Sequence, residues 1–245
     1  MTPPIRHLGI LAGLQSEARC ISPFMPEDCR QFVTVTLSGA RAEGAKAASA
    51  RLIATGASHL LSFGLAGGLD PALGPGTLLV PDRLILPDRT VKSVDAAWHA
   101  ELLDLLGDLS PAIGNHLGSD RAIGSAAEKS ALFAETGALA VDMESHIMAA
   151  AAAEAGLPFA LLRVVCDAAD DNLPPAALAA IRPDGSTDLL AVLGSVLARP
   201  SQIPALGRLA QSSKAAERVL RTCGRLLPQM VSQPAVGGEA EARLS

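Results

Sequence analysis

The sequence predicts an α/β fold: a three-layer α/β/α sandwich around a central, mostly parallel (mixed) sheet. Three observations predict it. Short apolar or β-branched runs alternate with Ala-rich helical stretches along most of the chain, and that order puts helices on both faces of a largely parallel sheet. Several runs are apolar throughout instead of alternating, as strands covered on both faces are. The length of 245 residues and the 49% hydrophobic content supply one sizeable core.

The elements follow in order. Residues 8–14 (LGILAGL) read as a buried first strand that ends in a small-residue turn. Residues 32–37 (FVTVTL) are β-branched and close on Ser38-Gly39, which marks a second strand. Residues 41–55 are Ala-rich at helical spacing, and Gly56 stands where a C-cap belongs. Residues 59–63 form a strand that runs into the glycine loop 64–68 (GLAGG). Residues 77–80 and 84–86 are strand-like, broken by Pro81-Asp82. Helices are expected at 95–107 and 126–135. Residues 138–141 read as a strand leading into Asp142-Met143-Glu144. Residues 145–155 form a helix apolar on nearly every side, stopped by Gly156 and Pro158. Residues 159–165 are the most strand-like of all and end at Cys166-Asp167.

Residues 199–228 differ in character. Apolar side chains recur at helical spacing from Ile203 to Leu227, while Arg199, Arg208, Lys214, Arg218, Arg221 and Arg225 face a single Glu217. This is a basic amphipathic helix or helix pair, suited to an anionic membrane surface or to packing on the domain or a second subunit. The organisation read here is one domain over 1–198, this extension over 199–228, and a Gly/Ala/Glu-rich tail over 229–245 that is expected to be disordered.

Composition excludes several classes. A net charge of −5 argues against a polyanion binder, and with no Tyr and one Trp (Trp98) the chain lacks stacking platforms for single-stranded nucleic acid. Cys20, Cys29, Cys166 and Cys223 show no C-x-x-C spacing, so free thiols in a reducing compartment are expected, without a metal site. No signal-peptide h-region or membrane-length apolar run is read.

In open parallel sheets, ligands bind beyond the carboxyl ends of strands. Glu17, the 64–68 glycines, Asp142–Glu144 and Asp167 all fall at such ends. Gly64 and Gly67, with Ala66 between them, would let backbone N–H groups approach a ligand oxygen, or would simply make a tight turn. Their spacing is neither a dinucleotide fingerprint nor a P-loop. Asp142 and Glu144 sit between an apolar strand and an apolar helix; they suit the vicinal hydroxyls of a sugar, or a helix cap. Asp167 could donate a proton to a leaving-group nitrogen, or pair structurally with Arg163, four residues earlier. Glu17 could orient an attacking water, or be a solvated first-turn carboxylate. Asp170-Asp171-Asn172 read as a loop, and the five histidines show no ligand spacing, with His146 read as a packed core residue. No G-x-S-x-G elbow supports serine hydrolysis.

The order of GILAGLQSEA, SGARAEGAKAA, FGLAGGL, GTLLVPD, GSDRAIGS, AVDMES and LLRVVCDAAD resembles the purine nucleoside phosphorylase and methylthioadenosine/S-adenosylhomocysteine nucleosidase superfamily over roughly residues 7–198. AVDMES and the strand ending in CDAAD are the specific motifs. The resemblance implies cleavage of a nucleoside N-glycosidic bond. It makes Glu17 the acid that activates water and Asp167 the acid at the purine. Met143 and Glu144 become the ribose-binding pair, with Asp142 beside them. The 120–123 segment, including Ile123, becomes the base-lining strand, and Gly64, Ala66 and Gly67 belong to the loop beside the ribose. It implies no organic cofactor or metal, with inorganic phosphate as the alternative acceptor, for which Arg19 or Arg41 is available. It also implies a cytoplasmic homo-oligomer.

The sequence departs from the family pattern at three places. Leu65 stands where a hydroxyl residue is usual, Cys166 where Ser usually precedes the acid, and Ala122 where an aromatic ring commonly stacks. The C-terminal extension is similar to that of the hopanoid-associated phosphorylase group. That likeness implies adenosylhopane as substrate, losing adenine on the way to bacteriohopanepolyols, and a C-terminal helix that shelters the hopane tail or touches the inner membrane. Two other functions stay open: a general methylthioadenosine/S-adenosylhomocysteine nucleosidase, and a non-catalytic nucleoside- or lipid-binding module of the same fold.

Overall fold

The structure, a computed structural model, describes residues 4–178 and 198–231; the expectations for 179–197 and for most of the C-terminal tail lie outside the described residues. Nine strands build one mixed sheet: β1 (Leu8–Ala12), β2 (Val33–Leu37), β3 (His59–Gly68), β4 (Leu78–Leu79), β5 (Arg83–Ile85), β6 (Val91–Ser93), β7 (Asn115–Gly118), β8 (Ala140–Asp142) and β9 (Phe159–Asp167). The path runs β2-β1-β3-β8-β7-β5-β6, with β9 joined to β3 and β4. The β1–β2, β1–β3, β3–β9, β5–β7 and β7–β8 pairs are parallel. The β3–β8, β4–β9 and β5–β6 pairs are antiparallel. The expected three-layer α/β class is therefore the one observed.

Side chains of the central strands divide between the two faces, as the period of two requires. On one face Leu8, Ile10, Leu61, Phe63, Leu162 and Val164 meet Trp98, Leu102 and Leu106 of α3 (Ala96–Leu106). On the other, Leu11, Leu60, Phe159 and Leu161 meet α2 (Ala42–Ala54) and α5 (Ser145–Ala155). The Ala-rich sequences of α2 and α5 permit that close layer: Ala45, Ala48, Ala149 and Ala152 are buried in it. Further helices complete the frame, namely α1 (Gln15–Ala18), α4 (Ala126–Thr136) and α6 (Pro175–Leu178).

Two sequence expectations are corrected. The 64–68 segment is not a loop but the second half of β3, because β9 pairs with it from Leu60 to Gly67. The 120–123 segment is a loop and not a strand; the strand lies just before it as β7, and Ser119 onward turns away. Of the two forms expected for the C-terminal extension, a helix or a helix pair, the structure has a single 24-residue helix, α7 (Ile203–Leu226). Its apolar stripe is committed to the core: Ala216, Leu220 and Cys223 pack in the same cluster as Trp98 and Phe63. At Gly224 a Cβ would lie 2.1 Å from the Cys20 carbonyl oxygen, so only glycine allows that approach. Arg208, Lys214, Arg218 and Arg221 remain on the outer face. No helix among the described residues is long and apolar enough to cross a membrane.

Candidate active site

Register explains why the site forms where it does. β3 and β9 run in parallel step until Ala66 opposite Val165; a one-residue irregularity then sets Gly67 opposite Asp167. Such a bulge re-aims the side chains beyond it. Asp167 lies over Gly67, where a Cβ would stand 3.4 Å from its Oδ2. From the other edge β8 pairs antiparallel at Gly67 and Gly68, which carries Asp142, Met143 and Glu144 to the same place. Glu17 arrives from β1 through the Gly13-Leu14 turn into α1.

These groups surround one cavity of about 480 Å³. Its lining includes Glu17, Ala66, Gly67, Ile123, Asp142, Met143, Glu144 and Asp167, so eight of the nine candidate residues share it. Gly64 does not line it. It lies beneath, where a Cβ would be 2.6 Å from Arg163 Nη1 and 2.7 Å from Glu17 Oε1. Arg41 lines the cavity, whereas Arg19 does not. The three departures from the family pattern, Leu65, Ala122 and Cys166, all line it as well. The wall is completed by Leu173, by Ala177 of α6, and by Leu209 and Ser213 of α7.

Glu17 is 3% exposed, which removes the solvated reading. Its Oε2 accepts the N–H groups of Gly13 (2.6 Å) and Leu14 (2.9 Å), and its Oε1 accepts that of Leu65 (2.8 Å). Burial raises its pKa, against the pull of Arg163 and those three N–H groups. Glu144 is close by: a Cβ on Gly13 would stand 3.2 Å from both Glu144 Oε1 and Glu17 Oε2. Burial and the Asp142 charge push Glu144 up to about 8, opposed by Arg163.

Asp142 uses both carboxylate oxygens on the protein. Oδ1 accepts the N–H groups of Glu144 and Ser145 at 2.9 and 2.8 Å, and Oδ2 meets His116 Nε2 at 2.9 Å and Arg163 Nε at 2.6 Å. Burial opposes its charge, yet Arg163 and His116 hold its carboxyl well below the usual carboxylate range. The pair foreseen between Asp167 and Arg163 is not formed. Arg163 turns to Asp142 and Glu144, and its Nη2 donates to Ser62 and Ser145 hydroxyls at 2.6 and 2.9 Å.

The cation beside Asp167 is Lys129 of α4, fully buried. Sequence reasoning did not single it out. A signal was present, since Lys129 shares a helical stripe with Leu132, Phe133 and Thr136, a place for an apolar side chain. Ser62, Ser145 and His116 carried no comparable signal. His146 is buried and meets Asp120 at 3.1 Å, outside the cavity lining. The four cysteines are free thiols; burial and the Asp167 charge push that of Cys166 well above its ordinary value.

The arrangement defines a class: an α/β protein with four buried acids, Glu17, Asp142, Glu144 and Asp167, around a cavity at the carboxyl ends of its parallel strands. The chain belongs to the phosphorylase superfamily, whose family model matches residues 27–198. No curated protein matches it. Among solved structures it is similar to the 5′-methylthioadenosine/S-adenosylhomocysteine nucleosidase of Helicobacter pylori, at 18% identity over 93% of this chain and 98% of that one (TM-score 0.67). It is also similar to futalosine hydrolase of Helicobacter pylori, at 18% identity over 89% and 97% (TM-score 0.65). The 5′-methylthioadenosine/S-adenosylhomocysteine nucleosidase of S. pneumoniae, solved with a transition-state inhibitor, matches at 16% over 90% and 99% (TM-score 0.66).

Proposed function

We propose that the protein cleaves the N-glycosidic bond of a 5′-substituted adenosine and releases adenine, with water as the acceptor. The observation that carries this is the meeting of Glu17, Glu144 and Asp167, distant in sequence, around one cavity. In this reading the purine lies against Asp167 and Ile123, and the ribose lies over Ala66 and Gly67, with its hydroxyls on Glu144 and its face on Met143. Breaking the bond leaves positive charge on the ribose and negative charge on the base. A carboxylate near the sugar and an acid at the purine stabilise those charges as they develop. Glu17, held by three backbone N–H groups, orients the water and takes its proton. Asp142 acts on the substrate through Arg163 and Glu144, since both its oxygens are engaged.

Water is favoured over inorganic phosphate because both buried cations beside the cavity are already matched, Arg163 by Asp142 and Glu144 and Lys129 by Asp167. Arg41 and Arg121 at the lining are the groups a phosphate would use. The apolar wall of Leu173, Ala177 and Leu209 supports an apolar 5′-substituent, and Leu209 brings the C-terminal helix into the substrate's surroundings. On that basis, and on the resemblance of the extension, the substrate is adenosylhopane of hopanoid biosynthesis. The test is adenine release from adenosylhopane and from 5′-methylthioadenosine, each with and without phosphate. Preference for the hopane substrate supports the finer reading; preference for methylthioadenosine replaces it with a general nucleosidase.

A further inference from the structure

We infer that Lys129 is a positioning residue for Asp167: it fixes the carboxylate's orientation and shares with it the proton that the departing purine takes up. The inference rests on the adenine-releasing reading above.

Three features carry it. Lys129 is fully buried, and its ammonium donates to three acceptors: Asp167 Oδ2, the Ala168 carbonyl at 2.7 Å and the Asp171 carbonyl at 3.2 Å. An ammonium has three protons, so its capacity is filled by the end of β9 and the turn beyond it. Second, Lys129 is absent from the cavity lining while Asp167 is in it. Whatever Lys129 does to a substrate passes through Asp167. Third, the turn does not depend on Lys129 for its place. Leu173 N–H donates to the Gly124 carbonyl at 2.8 Å, and Ala126 N–H to Asn172 Oδ1 at 3.0 Å.

Stability gives no sufficient reason for the pair. Burying an ammonium and a carboxylate costs several kcal/mol per ion, and apolar replacements of similar volume are commonly neutral or stabilising. An ion pair at the cavity edge, with one partner reaching in and the other sealed behind it, suits a proton donor held in one geometry. When the glycosidic C–N bond breaks, its electron pair stays with the purine. One proton passes from the Lys129–Asp167 pair to the base, which leaves as neutral adenine. The pair, one proton short, regains it from solvent, and the proton of the attacking water goes to Glu17.

The experiment compares wild type, Lys129→Met and Lys129→Gln on two substrates. One is 5′-methylthioadenosine, whose adenine needs a proton to leave. The other is a 4-nitrophenyl riboside, whose nitrophenolate needs none. Loss of a general-acid contribution is worth about 10²–10⁴ in rate. Expected for both variants is a fall of that size in kcat on 5′-methylthioadenosine, with KM changed far less, and a fall within about tenfold on the nitrophenyl riboside. Lys129→Gln keeps donors for the two carbonyls, so it reports even where the Met variant fails to fold. Equal losses on both substrates, or wild-type adenine release by a folded Gln variant, would overturn the inference. Wild-type protein that releases no adenine would overturn the functional reading itself, which is a different result.

Discussion

Arg163 Nε lies 2.6 Å from Asp142 Oδ2, with both side chains buried, Asp142 at the cavity wall and Arg163 behind it. The contact is an ion pair whose geometry is not that of a hydrogen bond. It ties β9 to the end of β8. Asp142 Oδ1 meanwhile takes the N–H groups of Glu144 and Ser145, and so turns the chain into α5 with Glu144 facing the cavity. Positions that read as ligands in the sequence divide here into groups that meet the cavity and groups that hold them.

Asp142→Asn leaves Arg163 buried without its main countercharge. A loss of about 3–5 kcal/mol is expected for breaking a buried pair on one side. Urea unfolding at neutral pH measures it. A cost below 1 kcal/mol would mean that Glu144 and the two serines satisfy Arg163 alone.

The two carboxyls also set opposite pH trends in stability. Asp142 has a depressed pKa in the folded state, so its contribution is present above its unfolded value, near 3.9, and is lost as pH falls below it. Glu144 is raised to about 8, so its folded form binds protons more tightly than the unfolded chain; stability from this group falls as pH rises from its unfolded value, near 4.3, towards 8. Urea midpoints from pH 3 to 9 should therefore pass through a maximum on the acid side of neutrality. The Glu144→Gln variant should show a smaller decline between pH 5 and 8, with the remainder coming from Glu17, whose pKa burial also raises.

Glu17 must be ionised to take a proton from water, and burial raises its pKa. Activity should therefore fall with acidification at a pH above the ordinary carboxylate range. Glu17→Gln should lower kcat by about 10²–10⁴. A pH–rate profile of kcat/KM checks the first, and steady-state rates check the second.

Gly64→Ala places a methyl group within 2.7 Å of both Arg163 Nη1 and Glu17 Oε1. Overpacking of this kind costs about 1–3 kcal/mol. The larger effect should be on turnover, since the two displaced groups belong to the site. Thermal melting and kcat together separate the two effects.

The fold was legible because the apolar runs of β1, β3 and β9 and the Ala-rich helices carry their periods openly. What misled was glycine. Gly64, Gly67 and Gly68 read as a turn, yet they continue β3 by pairing with β9 and β8, and at Gly64 the glycine is required by the close approach of Arg163 and Glu17. The strands β6 and β7 are three and four residues long, too short for a pattern. Of the site, the acids could be read because each follows an apolar strand. The cations could not: Arg163 lies mid-strand among Leu and Val, and its partners come from the end of β8, the start of α5 and β3, 18 or more residues away in sequence. Lys129 meets Asp167 across 38 positions, which only the tertiary fold brings together.

The most direct measurement is the release of adenine by the wild-type protein from adenosylhopane and 5′-methylthioadenosine in phosphate-free buffer, with the sugar product identified. Adenine together with a free reducing sugar, at a rate unchanged when phosphate is added, is the predicted result. No adenine from either nucleoside would contradict the assignment of Glu17, Glu144 and Asp167 to one reaction.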